Sequence, residues 1–182
     1  MIFNRTPFQG LVVIEPKIFG DDRGYFFESF RQDEFEKEIG KVSFVQENES
    51  KSTYGVLRGL HFQKPPYAQA KLVRCISGSI LDVVVDLRKD SPTFKKSYTT
   101  ELSGTNKLQL FIPRGFAHGF LVLSEEAIFS YKVDNIYAPN YDSGLRYDDP
   151  ELLIDWKLPK ESVKLSEKDR SLPLFSETDS PF

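Results

Sequence analysis

The sequence predicts an all-β fold: a single β-sandwich or jelly roll with a few short helices. Turn-forming residues divide the chain into many short apolar segments, as in sandwiches and barrels. Several of these segments alternate apolar and polar residues with the two-residue period of a strand. Aromatic residues, which favour strands, are abundant at sixteen Phe and eight Tyr. A length of 182 residues suits one domain, residues 1–182, and no internal repeat or linker divides it.

The first half of the chain contains two predicted strands and one predicted helix. Residues 10–14 form an apolar segment that ends before Pro16, and residues 71–76 form another that ends at a Ser-Gly-Ser turn. Between them, residues 31–39 have a helical pattern, because two apolar residues lie four apart and Gly40 follows as a C-terminal cap. This half is therefore predicted to be mainly extended with one short helix.

Three further strands are predicted in the second half. In residues 80–87 the odd-numbered positions are Leu or Val, whereas the even-numbered positions include Asp82 and Asp86. Residues 108–112 and 127–134 alternate in the same way. Strict alternation is typical of strands with one buried and one solvated face, so all three are predicted to be half-buried.

The pattern weakens after Pro139. Residues 148–150, Asp-Asp-Pro, predict a turn, and residues 152–156 predict a short packed segment. Residues 166–172 predict one helical turn. The last residues, 176–182, are predicted to form a loose C-terminal tail, as chain ends often do.

Composition weighs against several classes of function. The formal charge of −3 disfavours a general nucleic-acid binder. The single Cys75 rules out an internal disulfide and fits a reducing compartment. No apolar run approaches the ~18 residues of a membrane helix, and the N-terminus lacks the order of a signal peptide. We therefore expect a cytoplasmic protein without a nucleic-acid or membrane partner.

The chain has two histidines, and each lies in a segment that also holds an arginine, a glycine and aromatic rings. Imidazole is the usual proton carrier near neutral pH. In residues 57–63, Gly59 predicts a β-bulge that would reset the alternation and turn Arg58 and His61 towards one cavity. The alternative for His61 is an inert, hydrogen-bonded strand residue, and the alternative for His118 is a purely structural role.

Three other side chains are candidates for acid–base chemistry, and each has a structural alternative. Lys71 opens a predicted strand, where it is either solvated or a cation that stabilises an enolate oxygen. Tyr131 shares a strand face with Phe129, so it is either a core residue or a general acid. Asp169 follows Ser166 by three residues, as in a capping box, or it is a carboxylate that orients a histidine.

Other chemistries have little support in the sequence. No glycine-rich phosphate loop, no CxxC pair and no GxSxG nucleophile motif is present. A zinc or iron site needs more ligands than two well-separated histidines readily supply, although carboxylates could contribute. The sequence therefore predicts no metal site.

The candidates above belong to a longer series of short motifs. In chain order these are Asp22-Arg23-Gly24 with Phe27-Glu28, Gln46-Glu47-Asn48, residues 57–63, Lys71-Leu72-Val73-Arg74, residues 112–120, Tyr131, Tyr137-Ala138-Pro139, Asp149-Pro150 and Lys168-Asp169-Arg170. Each motif alone is a weak signal, but their joint order and spacing is highly specific. From about residue 10 to residue 174 the chain resembles the dTDP-4-dehydrorhamnose 3,5-epimerase family.

This resemblance implies a cupin-like jelly roll that acts as a homodimer on a dTDP-sugar, without a metal or organic cofactor. The implied reaction is epimerisation at C3 and C5 of dTDP-4-dehydro-6-deoxy-D-glucose, which gives dTDP-4-dehydro-L-rhamnose in dTDP-L-rhamnose biosynthesis. His61 would be the base, Asp169 its partner, Tyr131 the acid on the opposite face and Lys71 the support of the enolate oxygen. The implied substrate contacts are Arg23, Glu28, Gln46, Glu47, Asn48, Arg58, Lys71, His118, Tyr137, Asp142 and Lys168.

Two details qualify the resemblance. Asp142 stands where the family commonly has Glu, so its reach is one methylene shorter. The Pro-x-Gly-x-x-His element of cupins ends at His118, but the His-x-His element of metal-binding cupins is missing. The second difference disfavours a metal-dependent cupin oxygenase.

Three alternatives to the double epimerase therefore remain. They are a mono-epimerase, a ketoisomerase acting on a related dTDP-sugar and a non-catalytic sugar-binding cupin. The joint presence of His61, Tyr131 and Asp169 disfavours the binding module, because binding alone needs no acid–base pair.

Overall fold

A computed structural model describes residues 1–182. Its strands are β1 Ile2–Arg5, β2 Val12–Glu15, β3 Ile18–Asp21, β4 Gly24–Phe27, β5 Gln46–Thr53, β6 Leu57–Gln63, β7 Lys71–Ser77, β8 Ser79–Asp86, β9 Ser97–Ser103, β10 Gln109–Ile112, β11 Phe116–Val122, β12 Glu126–Val133 and β13 Asp142–Gly144. The helices are α1 Gln32–Glu38 and α2 Glu167–Arg170, with short 3₁₀ turns at Pro139–Tyr141, Lys160–Ser162 and Phe175–Glu177.

Two antiparallel sheets form a sandwich. The six-stranded sheet has the order β1-β2-β10-β7-β12-β5, and the five-stranded sheet has the order β13-β6-β11-β8-β9. Strands β3 and β4 form a separate hairpin. Sequence neighbours such as β6 and β7 lie in different sheets, so the chain crosses repeatedly between the layers as in a jelly roll. The predicted all-β, cupin-like fold with a few short helices is confirmed.

The main core lies between the two sheets. Val73 and Leu110 come from the six-stranded sheet, Val84 and Phe120 come from the five-stranded sheet, and all four are at most 5% exposed. Inward-facing side chains of two packed sheets interdigitate in this way in β-sandwiches. This core fixes the distance between the layers, and the functional site described below lies in the same gap.

The outer faces of both sheets are also covered. Phe35 of α1 packs on the six-stranded sheet and is 2% exposed. The C-terminal segment covers the five-stranded sheet with residues such as Trp156, whose Nε1 donates to the Tyr147 carbonyl at 2.8 Å. As a result β8 and β10, both predicted to be half-buried, are buried on both faces, and that prediction is wrong for these two strands. Asp82 and Asp86 gave β8 the appearance of a solvated face although both are fully buried.

Both predicted helical segments are present. The predicted helix 31–39 is α1, and Gly40 closes it in a left-handed conformation with its N–H donating to the Glu36 carbonyl. The predicted turn at 166–172 contains α2, capped by Ser166. Neither helix combines the length and apolar composition that crossing a membrane would require.

The C-terminal residues are packed rather than loose, so the prediction of a loose tail is wrong. The Ser180 side chain is buried, and its hydroxyl donates to the Leu87 carbonyl. The Phe182 carbonyl accepts from the Lys89 N–H at 3.2 Å, and the Phe182 ring lies edge-on to Phe62 at 6.0 Å. These hydrogen bonds and this ring contact together hold the segment against the rest of the chain.

Candidate active site

A cavity of about 530 Å³ opens between the two sheets. Side chains from both layers and from the segment before α2 line it. All four predicted catalytic residues lie there, including Lys71, which is also a predicted substrate contact, together with four further predicted contacts: His61, Lys71, Tyr131, Asp169, Asn48, Arg58, His118 and Lys168. Residues that are far apart in the sequence therefore share one site.

A β-bulge in β6 turns two polar side chains into this cavity, as predicted. His61 pairs with His118 and Arg58 pairs with Phe120, so three steps along β6 match two steps along β11. Gly59 lies in the bulge with φ +130°, and a Cβ there would lie 2.5 Å from the Gly119 Cα. The bulge therefore needs glycine, and it places Arg58 and His61 on the same side of the strand.

His61 and Asp169 form a short hydrogen bond. His61 Nε2 donates to Asp169 Oδ1 at 2.5 Å, and the two side chains are 30% and 5% exposed. Burial raises the pKa of Asp169, but hydrogen bonds from His61 and Ser166 outweigh burial and hold that pKa below its usual range. The carboxylate is therefore ionised at neutral pH and fixes the imidazole orientation, which leaves Nδ1 of His61 free to accept a proton.

Asp169 also has the capping role that the sequence offered as its alternative. Ser166 Oγ accepts from the Asp169 backbone N–H at 3.1 Å and donates to Asp169 Oδ2 at 2.8 Å. The segment before Ser166 is held against β6, because the Leu57 N–H donates to the Lys164 carbonyl at 2.9 Å. Capping and this contact together place the carboxylate beside His61, so Asp169 makes both the helix cap and the contact with the histidine.

Two basic side chains, Lys71 and His118, line the cavity from opposite sheets. Burial lowers the pKa of the Lys71 ammonium to about 8, against the opposing charges of Asp82 and Asp142. Burial also lowers the pKa of His118, against an interaction with Asp82. The cavity therefore presents a lysine that is mostly protonated at neutral pH and a neutral imidazole.

Tyr131 approaches the cavity from the six-stranded sheet. It pairs directly with Asn48 across β12 and β5, and its ring packs 5.7 Å from Phe129. Burial raises its pKa, while the positive charge of Arg58 and the side chain of Asn48 oppose the rise. The phenol is therefore protonated at neutral pH, as a proton donor must be.

A polar network lies beside the cavity. The Tyr137 hydroxyl donates to Asp142 Oδ2 at 3.0 Å, and the Lys168 ammonium donates to the same oxygen. Gln46 accepts from the Tyr137 N–H at 3.2 Å and donates to Asn48 Oδ1 at 2.9 Å. Three predicted contacts outside the lining, Gln46, Tyr137 and Asp142, are thus linked to residues inside it.

Three predicted substrate contacts are not brought to the cavity within this chain. Glu47 is next to Asn48 in β5, but it pairs with Lys132 at 2.5 Å and lines a different surface pocket. Arg23 and Glu28 lie on and after the β3–β4 hairpin, where Arg23 is 90% exposed and pairs with Asp21. Successive strand residues point to opposite faces, so Glu47 lies on the face of β5 opposite to that of Asn48 and does not reach the cavity.

One buried residue beside the site was not predicted as functional. Asp82 of β8 is fully buried, and its Oδ2 accepts from His118 Nε2 at 2.9 Å. The signal in the sequence was an aspartate inside an otherwise apolar strand, but the alternation made it resemble a solvated position. The cavity walls at Lys164, Leu165 and Ser166 were also not predicted, because that segment has no periodic pattern.

The arrangement can move protons on two faces of one bound molecule. His61 and His118 lie on the five-stranded sheet, whereas Lys71 and Tyr131 lie on the six-stranded sheet. A base and an acid that face each other across a gap can remove a proton from one face and return one to the other. No three His, Cys, Asp or Glu side chains are placed to share a metal ion.

Comparisons with known proteins agree with this geometry. The family model described as dTDP-4-dehydrorhamnose 3,5-epimerase matches residues 5–177. A dTDP-4-dehydrorhamnose 3,5-epimerase from Shigella flexneri is 52% identical over 96% of this chain and 96% of its own. The crystal structure of such an enzyme from Elizabethkingia anophelis NUHP1 is 52% identical, covers 98% of both chains and has a TM-score of 0.94. A dTDP-6-deoxy-D-glucose-3,5-epimerase from Legionella pneumophila, in complex with dTDP-4-keto-L-rhamnose, is 46% identical over 98% of this chain and 94% of that one, with a TM-score of 0.93.

Proposed function

Because the chain belongs to the dTDP-4-dehydrorhamnose 3,5-epimerase family, we propose that His61, Tyr131, Lys71 and Asp169 carry out its reaction. The protein is an isomerase that epimerises C3 and C5 of dTDP-4-dehydro-6-deoxy-D-glucose to give dTDP-4-dehydro-L-rhamnose. One observation carries the assignment of roles. The His61–Asp169 pair and Tyr131 line one cavity from opposite sheets.

The first step is removal of a proton beside the C4 ketone. The ketone acidifies the hydrogens on C3 and C5, because the resulting carbanion is delocalised onto the C4 oxygen. His61 takes the proton on Nδ1, and the imidazolium is stabilised by the Asp169 carboxylate at 2.5 Å. The C–H electron pair forms the enolate, so the sugar itself supplies the activating group. The same base serves both carbons if the ring is presented to it twice and if, between the two inversions, His61 gives its proton to solvent and Tyr131 takes one from it.

Lys71 stabilises the enolate oxygen in this proposal. A fixed ammonium in a water-poor cavity lowers the free energy of the developing negative charge far more than the same group does in water. Burial brings the pKa of Lys71 to about 8, so most molecules carry the charge at neutral pH. The lysine lies on the opposite sheet from His61, which lets the two groups contact different sides of the sugar.

Tyr131 completes each inversion. It donates its phenolic proton to the carbon from the face opposite His61, and the enolate electron pair re-forms the C–H bond. The resulting phenolate is stabilised by the positive charge of Arg58. Proton return from His61 instead would restore the starting configuration, so the position of the acid decides the stereochemical outcome.

The other polar residues bind the nucleotide-sugar in this proposal. Arg58 Nε donates to Ser52 Oγ at 3.0 Å, and this hydrogen bond leaves the outer nitrogens of the guanidinium free for a phosphate. His118 and Lys168 contact the sugar and the phosphates. Tyr137, half of whose surface is exposed, stacks on the base. Asp142 is already paired with Lys168 and the Tyr137 hydroxyl, so its contact with the substrate is made through this network.

Solvent isotope exchange tests the assigned roles. The protein is incubated with dTDP-4-dehydro-6-deoxy-D-glucose in heavy water, and deuterium at each carbon is followed by NMR. We expect incorporation at C3 and C5 by the wild type and its loss in His61→Ala. Lys51→Gln is a matched control on β5, because Lys51 is exposed and pairs only with Glu126 at 2.7 Å.

Each alternative function predicts a different isotope pattern. Deuterium at one carbon alone would indicate a mono-epimerase, and a shift of the carbonyl along the ring would indicate a ketoisomerase. A sugar-binding module would bind the substrate without any exchange. Exchange that persists at full rate in His61→Ala would remove His61 from the role of base.

We further propose that the protein is a homodimer in which the β3–β4 hairpin packs on a second copy. The hairpin carries several exposed aromatic rings, with Phe26 69% and Tyr25 59% exposed. A two-stranded ribbon is marginally stable alone, and an exposed apolar patch of this kind is typical of an interaction surface. Dimerisation would also bring Arg23 and Glu28 to the cavity of the partner subunit.

Mixed dimers test this arrangement. Dimers of the Arg23→Ala chain and dimers of the His61→Ala chain are each expected to have low activity. A mixed dimer, formed by refolding the two chains together, should recover activity, because one of its two sites combines His61 of the first chain with Arg23 of the second. No recovery would contradict a shared site. In addition, Phe26→Glu should convert the dimer to a monomer in sedimentation analysis, and an unchanged dimer would exclude the hairpin as its interface.

We also propose a cytoplasmic location. The lone Cys75 is buried and unpaired, which suits a reducing compartment. Cell fractionation with an antibody to the chain would test the location, and recovery in an extracytoplasmic fraction would refute it.

A further inference from the structure

We propose that Asp82 is a positioning residue of this reaction, which orients the His118 ring and places a negative charge beneath the cavity. This inference rests on the proposed roles of Lys71 and His118. Asp82 does not itself line the cavity, so it acts on the substrate only through these two side chains.

Asp82 has an unusual environment for a carboxylate. It is fully buried in β8, between two apolar neighbours on the same strand face, Ile80 and Val84. Oδ2 accepts from His118 Nε2 at 2.9 Å, whereas Oδ1 is buried without any hydrogen-bond partner. Burial of a charged oxygen without a partner is strongly unfavourable, so a residue kept there for stability alone would be better replaced by an apolar one.

A second aspartate on the same strand face shows how this fold satisfies such a group. Asp86 is also fully buried, but Arg88 donates to both of its oxygens at 2.8 and 2.7 Å. Ser91 and Thr93 each donate to Oδ2 at 2.6 Å. Asp86 is thus completely hydrogen-bonded by its own surroundings, and its contacts describe a structural role. Asp82 differs from Asp86 in having His118 as its one hydrogen-bond partner and in keeping Oδ1 unpaired.

Lys71 is the cation on which the charge of Asp82 acts at longer range. It lies on β7 of the opposite sheet and lines the cavity, and it makes no hydrogen bond or ion pair with Asp82. Asp82 is the foremost of the negative charges that keep Lys71 protonated against burial. The other titratable groups around this pair are Arg58, His61, Cys75, His118, Tyr131 and Asp142.

Asp82 also determines what His118 offers to the sugar. One imidazole nitrogen is committed to the carboxylate, and the ring stacks on Phe129 at 6.0 Å between centroids. The neutral ring therefore carries its proton on the nitrogen that faces Asp82, and the other nitrogen is an acceptor. An acceptor fixed in this way selects a sugar hydroxyl, and it cannot compete with Lys71 for the enolate oxygen.

Two substitutions separate this role from a structural one. In Asp82→Asn we expect kcat to fall at least ~10-fold at neutral pH, with KM changed by less than about twofold and with an unchanged or higher Tm. Relative to wild type, the activity of Asp82→Asn should recover as the pH is lowered, because Lys71 then regains its proton without the carboxylate. Asp82→Leu should be inactive at every pH.

Asp86→Asn is the matched control. It removes a completely hydrogen-bonded carboxylate of the same strand, so Tm should fall while kcat per folded molecule stays near that of wild type. The Asp82 proposal is overturned if Asp82→Asn keeps its kcat and pH profile, or if it loses Tm as Asp86→Asn does. Absence of isotope exchange in the wild type would instead overturn the proposed function, so the two failures are distinguishable.

A measurement on the wild type does not depend on how any variant folds. NMR of nitrogen-labelled histidine should find the His118 ring neutral at neutral pH, with one nitrogen protonated and the other bare. A ring that exchanges between its two tautomers would contradict orientation by Asp82.

Discussion

Replacement of Asp169 by Asn tests the His61–Asp169 pair most directly. The side chain keeps its shape, and the cap of α2 survives because Ser166 accepts from the backbone N–H of residue 169. The variant loses the negative charge that lies 2.5 Å from His61. Proton abstraction is therefore expected to slow while the fold remains intact.

The size of the effect follows from the environment of the pair. Asp169 is 5% exposed and His61 is 30% exposed, so water screens their interaction only partly. A hydrogen bond to a charged group contributes roughly 1.5–3 kcal/mol, and about 1.4 kcal/mol corresponds to a tenfold change. We expect the rate of deuterium incorporation at C3 and C5 to fall by a factor of roughly 10 to 100.

The assay is the initial rate of isotope incorporation in heavy water, compared with Tm for each variant. Ser166→Ala is the control, because it removes the cap and leaves the carboxylate. It should lower the free energy of unfolding by ~1 kcal/mol and slow exchange less than Asp169→Asn does. An Asp169→Asn enzyme that exchanges at the wild-type rate would refute the coupling of the two side chains.

Four further predictions follow from the same contacts. Tyr131→Phe should retain deuterium exchange but slow inversion by a factor of ~10²–10⁴, and unchanged inversion in the product NMR spectrum would exclude Tyr131 as the acid. Phe35→Ala should lower the free energy of unfolding in urea by ~3–5 kcal/mol, because the ring is 2% exposed and packs 5.2 Å from Phe111. Leu153→Ala, at a position 84% exposed, should change the free energy of unfolding by less than ~0.5 kcal/mol. Equal losses of stability in Phe35→Ala and Leu153→Ala would contradict the described core. Phe182→Ala should lower Tm by on the order of 5 °C, whereas an unchanged Tm would restore the interpretation of a loose tail. Burial raises the pKa of Asp86, but hydrogen bonds from Arg88, Ser91 and Thr93 bring it below its usual range. Its stabilisation is therefore present above the unfolded pKa of about 4 and lost as the pH falls through the folded pKa, so Tm should depend less on acid pH in Asp86→Asn.

The sequence predicts best the positions of strands that are rich in apolar residues. β7, β8, β10 and β12 lie close to their predicted ranges, because short apolar segments bounded by turn residues are typical of strands. β5 was not predicted: its residues Gln46–Thr53 are polar at every position. Its strand form depends on pairing with β12 along its full length, which is a tertiary effect.

The features of the site also divide into those that the sequence predicts and those that it does not. The bulge at Gly59 was predictable, because a glycine inside a strand weakens the ladder and often marks a bulge. The pairing of His61 with Asp169 was not, since the two are 108 residues apart and only family resemblance related them. Asp82 was misread for a physical reason: its strand face, which it shares with Ile80 and Val84, is buried against the six-stranded sheet, and that tertiary contact is not visible in the alternation.

The placement of His61 and Tyr131 on different sheets has a consequence for enzyme design. Packed sheets keep a separation of about 10 Å, so the stereochemical course depends on which layer supplies the proton donor. A proton donor moved to the five-stranded sheet would return hydrogen to the face of the sugar from which it was removed. The redesigned enzyme would then exchange hydrogen isotopes on the sugar without altering its configuration. The configuration of the sugar product is thus determined by which sheet carries the proton donor.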